Sequence, residues 1–216
     1  MILPRSFYDR PTLDVARELV GKVLVHRTRG VVTSGRIVEV EAYIGESDPA
    51  CHAAPGRTRR NAPLYGAPGF AYVYLNYGIH HLVNAVTEPV DHPAAVLIRA
   101  LEPVDGLRAM RRRRHLPAKG RRRTEGVAIP DVDLCKGPGN LTQALGIHLI
   151  HGGLDLCDSP LFIEDVGGDA PTLSWGPRIG IRVGTDRLWR AWIAGHPSVS
   201  AARQSSSGRS VLSLNA

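Results

Sequence analysis

The sequence predicts one α+β domain, built on a curved, barrel-like antiparallel β-sheet with a protruding β-hairpin and a few flanking helices. Many short segments have strand-like alternation and few have helical spacing, and Gly- and Pro-rich turn signals separate them. The 216 residues, 43% of them hydrophobic, can bury one full-sized core. We expect a single domain over residues 1–203, a mobile basic loop at about 111–132, and a disordered Ser-rich tail at 204–216.

Hydrophobic periodicity and turn residues predict the elements in chain order. Helices are predicted at residues 11–20, from about 103 to 114, and at 140–145. Strands are predicted at residues 22–27, 35–43, 70–75, 79–86, 94–101, 154–157, 161–164, 178–183 and 188–194. Residues 44–69 are predicted to form a long polar loop, and loops of this length within a compact domain are usually functional or disordered.

Composition limits the partners and the compartment. Lys and Arg outnumber Asp and Glu by 27 to 20, which suits a polyanionic partner and equally a basic enzyme that never meets nucleic acid. The three cysteines are widely spaced without a C-x-x-C motif, which argues against a disulfide framework and a cysteine zinc site. No apolar run suits a signal peptide or a membrane span, so we expect a cytoplasmic protein without membrane contact.

Two carboxylates share one face of the predicted strand at residues 35–43. Alternation places Glu39, Glu41 and Tyr43 on the same side as Ile37. A solvated outer face is the ordinary explanation of such a pattern. However, Arg99 lies within an otherwise apolar strand, and a buried guanidinium needs a charged partner. Glu39, Glu41 and Glu102 are the candidate partners, for a structural ion pair or for orientation of a catalytic carboxylate.

The predicted hairpin carries aromatic side chains. Tyr72 and Tyr74 lie on one face, and Tyr77 lies in the turn, where it could enter DNA as a wedge and replace an extruded nucleotide. Asn84 on the return strand offers a donor and an acceptor to base edges. Further along, Lys136-Gly137-Pro138-Gly139 opens a helix whose free N–H groups could bind a phosphate, although it could equally be a simple helix start. Asn140 and Gln143 there have capping-box spacing.

Five ordered blocks together resemble the alkyladenine (3-methyladenine) DNA glycosylase family over about residues 4–200. The blocks are Arg36-Ile37-Val38-Glu39-Val40-Glu41-Ala42-Tyr43 with His52, Tyr72-Val73-Tyr74-Leu75-Asn76-Tyr77-Gly78 with Asn84, Leu97-Ile98-Arg99-Ala100-Leu101-Glu102-Pro103, Lys136-Gly137-Pro138-Gly139 with Leu141-Thr142-Gln143-Ala144-Leu145, and Pro177-Arg178-Ile179-Gly180-Ile181. No block is decisive alone, and their order and spacing make the resemblance specific.

The resemblance implies a role for each candidate residue. Glu41 is implied as the general base, with Arg99 and the backbone carbonyl of Ile179 beside the catalytic water. Three aromatic side chains are implied to bind the flipped base, namely Tyr43, His52 and Tyr74. Asn84 is implied to disfavour a guanine amino group, and Tyr77 to intercalate. Lys136, Gly137 and Gly139 are the expected contacts to the DNA backbone.

The implied activity is base-excision repair of alkylated or deaminated purines in duplex DNA, by a monomer without cofactor or metal. The substrate class comprises 3-methyladenine, 7-methylguanine, hypoxanthine and ethenoadenine. No lysine is among the candidate catalytic residues, so we expect a monofunctional enzyme without lyase activity. Two alternatives stay open: a non-catalytic damaged-DNA-binding protein of the same fold, and a metal-dependent nuclease or deaminase, suggested by nine histidines and the pair His80-His81.

Overall fold

The fold is built on one antiparallel sheet of eight strands. The computed structural model of the protein describes residues 1–115, 129–158 and 160–200. The strands are β1 (Val23–Thr28), β2 (Val31–Ile44), β3 (Ala71–Asn76), β4 (His80–Val86), β5 (Ala94–Asp105), β6 (Leu161–Glu164), β7 (Leu173–Gly176) and β8 (Arg190–Ile193). The helices are α1 (Arg5–Tyr8), α2 (Thr12–Leu19), α3 (Leu107–Arg114), α4 (Asp131–Leu134) and α5 (Pro138–Leu145), with 3-10 turns at Ala62–Tyr65 and Leu149–His151.

The sheet branches at its longest strand, β2. The main order is β3-β4-β5-β2-β1-β6. The first half of β2 pairs with β1, whereas Glu39 to Glu41 pair with β8, which pairs in turn with β7. The sheet therefore curves into a half-barrel within a single domain, which confirms the predicted fold class. Glu39 and Glu41 lie at the branch.

The pairing of β2 with β5 is irregular around Glu39. Ile37 pairs with Leu101 and Val40 with Ile98, and the register shifts on both sides of Glu39. Val38 on β2 and Arg99 on β5 have no partner in this ladder, and such an irregularity breaks the strict alternation of faces. Ile37 consequently packs in the main core with Val40, and the expectation that it shares a face with Glu39 is wrong.

Two clusters of apolar side chains support the sheet. The main core lies against α2, α3 and α5 and contains Leu19, Met110 and Leu141. A smaller cluster forms under the long loop at residues 44–69, where Tyr43 and Tyr74 pack against its buried members. Side chains of the loop therefore pack against the sheet next to Tyr43 and Tyr74.

The hairpin of β3 and β4 rests on the start of α5. A Cβ atom at Gly139 would lie 2.7 Å from the His80 ring, so only glycine permits this approach. The Thr142 hydroxyl donates to the carbonyl of His81 at 2.6 Å. These contacts fix the base of the hairpin and leave its tip, with Tyr77, projecting into solvent.

Several predicted elements differ from the structure. The helix predicted from residue 103 begins at Leu107, because β5 continues to Asp105 and Gly106 turns the chain with a φ of 77°. Residues 154–157 contribute only an isolated bridge, and residues 178–183 form no strand. Helix α1, helix α4 and strand β7 were not predicted. Helix α5 begins at Pro138, so Asn140 lies inside its first turn and forms no capping box.

The basic segment is ordered where it is described. Residues 111–114 form the last turn of α3, which corrects the expectation of a mobile loop there. Arg113 donates to the carbonyl of Ala144 and Arg114 to the side chain of Gln143, each at 2.9 Å. Residues 116–128 and the predicted tail lie outside the described residues. Across the described ranges, no helix is both long enough and apolar enough to cross a lipid bilayer.

Candidate active site

Glu41 is a buried carboxylate whose two oxygens are both engaged. Its Oε1 accepts the N–H of Ile179 at 2.6 Å, and its Oε2 accepts the Tyr43 hydroxyl at 2.8 Å. The Arg99 Nη1 lies 3.2 Å from the same Oε2. Hydrogen bonds and one counterion therefore fix the orientation of this carboxylate before any substrate arrives.

Burial dominates the proton equilibria at this carboxylate. Burial raises the pKa of Glu41, and the Arg99 charge and the two hydrogen bonds oppose that rise only in part. Burial also raises the pKa of the Tyr43 hydroxyl, and the negative charge of Glu41 raises it further, so this hydroxyl remains a donor. Although burial disfavours the charge of Arg99, its two carboxylate partners outweigh that effect and raise its pKa. The result is a permanently charged guanidinium beside a carboxylate that binds protons more readily than usual.

Arg99 bridges both carboxylates of β2. Its Nε donates to Glu39 Oε1 at 3.1 Å while its Nη1 faces Glu41. The prediction that a buried intrastrand arginine needs an acidic partner is thereby confirmed, with two partners instead of one. Glu102, the third candidate, lies 3.6 Å from the His196 ring instead.

A second buried ion pair stands behind Tyr43 and joins the long loop to the segment that carries Ile179. The Arg178 guanidinium binds Asp48 in a bidentate manner, at 2.5 and 2.8 Å, and donates to the carbonyl of Ala42 at 3.0 Å. Its central carbon lies 4.6 Å from the centroid of the Tyr43 ring. Arg178 thus supports one face of Tyr43 and anchors the residue next to Ile179. Neither Asp48 nor Arg178 was predicted.

Three aromatic rings from the loop and the hairpin pack together near Tyr43. The His52 ring centroid lies 4.5 Å from that of Tyr74, and His52 Nδ1 lies 2.9 Å from the Tyr72 hydroxyl. Burial lowers the pKa of His52, and the positive charge of Arg60 lowers it further, so this ring is neutral at pH 7. Tyr72, which shares a face with Tyr74, joins the predicted group through the i, i+2 pattern of the strand.

The remaining predicted residues are more dispersed. Asn84 is buried on β4 opposite Tyr72 and donates to its backbone carbonyl at 3.0 Å. Tyr77 is 84% exposed and adopts a φ of 49° in the turn. Lys136 donates to the carbonyl of Pro197 at 2.8 Å, and Gly137, with a φ of 102°, caps the start of α5. The structure therefore joins Tyr43 to Glu41 and His52 to Tyr74, and these contacts do not include the hairpin tip or the start of α5.

A cavity of about 460 Å³ lies along the outer edge of β3. Its lining includes Arg60, Tyr72, Tyr74 and Gly152 but neither Glu41 nor Tyr43, so two of the aromatic residues border this cavity and the buried carboxylate does not. Among the described side chains, no three His, Cys, Asp or Glu residues come together as potential metal ligands.

A family model described as methylpurine-DNA glycosylase matches residues 6–197, nearly all of the chain. The chain belongs to the methylpurine-DNA glycosylase family. It is accordingly a DNA glycosylase of base-excision repair whose substrate is DNA, which confirms the resemblance seen in the sequence and gives no support to the nuclease or deaminase alternative.

Curated relatives match this chain over most of their own length. A protein of Chlorobium phaeobacteroides is 47% identical over 89% of this chain and 92% of its own length. A Methanocella arvoryzae protein is 46% identical, covering 92% of this chain and 96% of itself. One from Bacillus cereus is 44% identical, covering 93% of this chain and 99% of itself. Each carries the name "Putative 3-methyladenine DNA glycosylase".

Proposed function

We propose that this glycosylase flips alkylated or deaminated purines out of duplex DNA and hydrolyses their N-glycosidic bond, with Glu41 as general base. The proposed substrates are 3-methyladenine, 7-methylguanine, hypoxanthine and ethenoadenine. The observation that carries the proposal is a fully buried carboxylate fixed by Arg99, Tyr43 and Ile179 beside a cluster of aromatic rings. We propose that it acts as a monomer.

Glu41 suits both charge requirements of the reaction. A water attacks the deoxyribose C1′, the bond from C1′ to the base nitrogen breaks, and the base leaves with the electron pair. Glu41 accepts the proton of the water, and its negative charge stabilises the oxocarbenium-like transition state. The Ile179 peptide is held to Glu41 through its N–H. We propose that its carbonyl and Arg99 orient the water.

The aromatic rings suit a flipped, electron-poor purine. We propose that Tyr43, His52 and Tyr74 stack on the base and bind its edge, and that Asn84 disfavours a guanine amino group. A ring over a cationic base such as 3-methyladenine contributes about 0.5–2 kcal/mol. Arg178 supports the outer face of Tyr43 and keeps that ring in place.

Contacts to the duplex complete the proposal. Tyr77, exposed at the hairpin tip, would fill the space that the flipped nucleotide leaves. Lys136, Gly137 and Gly139 at the start of α5 would bind the DNA backbone, where N–H groups and the helix dipole favour a phosphate.

Replacing Glu41 tests the proposal directly. Glu41→Gln is expected to lower the single-turnover rate of base release by roughly 10²-fold or more while DNA binding persists. Glu164→Gln, at the end of the edge strand β6 and separated from β2 by β1, is the control and should behave as the wild type. Duplexes that each carry one of the four lesions give the substrate range.

Three results would contradict the proposal. Unchanged release by Glu41→Gln would remove the general base. A wild-type protein that binds every lesion and releases none would be a non-catalytic binder. An adduct trapped by borohydride would show an amine nucleophile and overturn the monofunctional reaction, which should leave an uncleaved abasic site.

A further inference from the structure

Glu39, two residues before the proposed base, is a fully buried acceptor of four hydrogen bonds. It accepts hydrogen bonds from Arg99 Nε and Arg190 Nη1, each at 3.1 Å. It also receives the backbone N–H of Ser200 at 2.7 Å and the Ser200 hydroxyl at 2.9 Å. Because one carboxylate accepts all four hydrogen bonds, it fixes the positions of Arg99, Arg190 and Ser200 relative to one another.

The four ionised groups at the branch of the sheet balance in charge. Glu39 and Glu41 supply two negative charges, and Arg99 and Arg190 supply two positive ones. Arg99 contacts both carboxylates, whereas Arg190 contacts only Glu39. Without Arg190, one buried guanidinium would face two buried carboxylates, and a carboxylate left without its counterion binds a proton more readily.

Arg190 is also linked to Glu41 through the backbone. It lies directly opposite Glu41 where β8 pairs with β2. Its Nε donates to the carbonyl of Pro177 at 3.0 Å, two residues before the Ile179 N–H that binds Glu41. The side chain packs on the Trp192 ring, with its central carbon 4.1 Å from the ring centroid. Arg190 therefore supplies one of the two positive charges and also binds the segment whose Ile179 N–H orients Glu41, the proposed base.

Ser200 belongs to the same network, because its hydroxyl contacts both Glu39 and Arg99. Its hydroxyl donates to Glu39 and accepts Arg99 Nη2 at 3.2 Å. The segment that leads to it is held by Lys136, whose Nζ donates to the carbonyl of Pro197 at 2.8 Å. Ser200 thus fixes the guanidinium of Arg99 at the end that faces away from Glu41.

We propose that Arg190 and Ser200 are positioning residues of base release: acting through Glu39, they hold Arg99 against Glu41 and keep Glu41 ionised at neutral pH. The inference rests on the proposed role of Glu41. Neither residue need contact the DNA, because each acts through a buried carboxylate and a guanidinium.

Arg190→Met tests the charge balance, with Arg5→Met as a control that has the same kinds of contact at a more exposed position. Arg5 likewise pairs with a carboxylate, donates to a backbone carbonyl and stacks on an aromatic ring, namely Asp155, Pro68 and Phe70, but it lies outside the Glu39 network. The substrate is a duplex with one 7-methylguanine, whose base is already cationic and needs no acid. The readouts are the single-turnover rate from pH 5 to 9, the affinity for the duplex, and thermal unfolding.

The expected effect is on the acid limb of the rate profile. Glu41 must be ionised, so the rate falls as pH drops through its pKa, and a raised pKa moves the limb to higher pH. We expect Arg190→Met to move it up by about one pH unit, which lowers the rate about tenfold at any pH on that limb. DNA affinity should stay within about twofold of the wild type, and Arg190→Lys should restore the limb.

Ser200 gives a second test that leaves all four charges in place. Ser200→Ala keeps the backbone N–H bond to Glu39 and is expected to slow base release about threefold or more, with Ser200→Thr restoring the rate. This variant decides the question if Arg190→Met does not fold. An acid limb that stays in place in Arg190→Met, or a wild-type rate in Ser200→Ala, overturns the inference.

The two proposals fail separately. If Glu41→Gln still releases bases, the proposed function itself is wrong. If Glu41→Gln is inactive while the Arg190 and Ser200 variants match the Arg5→Met control, only the positioning role is wrong.

Discussion

Replacing Asp48 with asparagine would break the buried ion pair behind Tyr43. Both side chains of the Asp48–Arg178 pair are fully buried, and Asp48 accepts two short bonds from the guanidinium. Removal of one partner from a buried pair costs about 3–5 kcal/mol, because the other charge remains buried without compensation. Arg178 keeps the carbonyls of Ala42 and Gly184 as acceptors, so the lower end of that range applies.

A loss of about 3 kcal/mol corresponds to a fall in Tm of roughly 6–12 °C for a chain of this size. Urea unfolding of Asp48→Asn, Arg178→Met and the double variant measures the coupling between the two side chains. The double variant should be more stable than the sum of the two losses predicts, by about 1–3 kcal/mol, because it buries no unpaired charge.

Asp91→Asn is the control, since Asp91 also pairs with an arginine, Arg57, but both side chains are mostly exposed. Its cost should be about 1 kcal/mol or less. If Asp48→Asn costs no more than Asp91→Asn, water reaches the Asp48 pair in solution and the reasoning from its burial is refuted.

The pH dependence gives an independent check on the same pair. Burial acts to raise the pKa of Asp48, but hydrogen bonds and the charge of Arg178 outweigh it and hold that pKa below the usual 3.8. A carboxyl with a depressed folded pKa contributes stability that is present above its unfolded pKa and is lost as pH falls through the folded value. The stability difference between wild type and Asp48→Asn should therefore be constant above about pH 5 and shrink below pH 3.8.

Two further predictions concern the contacts with DNA. Tyr77→Ser should slow base release from a fully paired duplex by about tenfold, whereas release from an unpaired lesion should change by no more than about twofold. The reason is that only a paired lesion needs a side chain to fill the space it leaves in the duplex. Equal losses on both substrates would contradict the intercalating role of Tyr77. Affinity for a lesion duplex should fall at least about tenfold between 50 and 200 mM salt, since contacts to phosphates release counterions; an affinity independent of salt would show that the basic surface does not bind DNA.

Local patterns in the sequence predict the three residues at the centre of the candidate site, Glu39, Glu41 and Arg99. Alternation along β2 paired Glu39 with Glu41, and Arg99 was recognisable because a guanidinium inside an apolar strand must find an acid. The same patterns predict Glu102 as an equally suitable partner for Arg99. The irregular pairing at Glu39 explains why alternation alone could not assign the strand's faces, since a local shift in register leaves no mark in hydrophobic periodicity.

The supporting groups could not be found in this way because they are distant in sequence. Arg178 binds an acid 130 positions away, and Arg190 and Ser200 reach Glu39 across 151 and 161 positions. Each of these three residues looks like an ordinary polar position in its own segment. Only the closure of the sheet at β2 and β8 brings them together.

The failed strand prediction at residues 178–183 has a physical cause that bears on the site. Alternating Ile and Arg residues favour a strand there, but Gly180 and Gly184 adopt φ values of 81° and 63°, which a strand cannot accommodate. In a β-ladder, the N–H of Ile179 could have been used by a neighbouring strand. In the irregular segment it binds Glu41, and Gly184 allows the chain to pass close to Arg178, where a Cβ would lie 3.1 Å from the guanidinium. The break in periodicity is thus what frees a backbone donor for the proposed base.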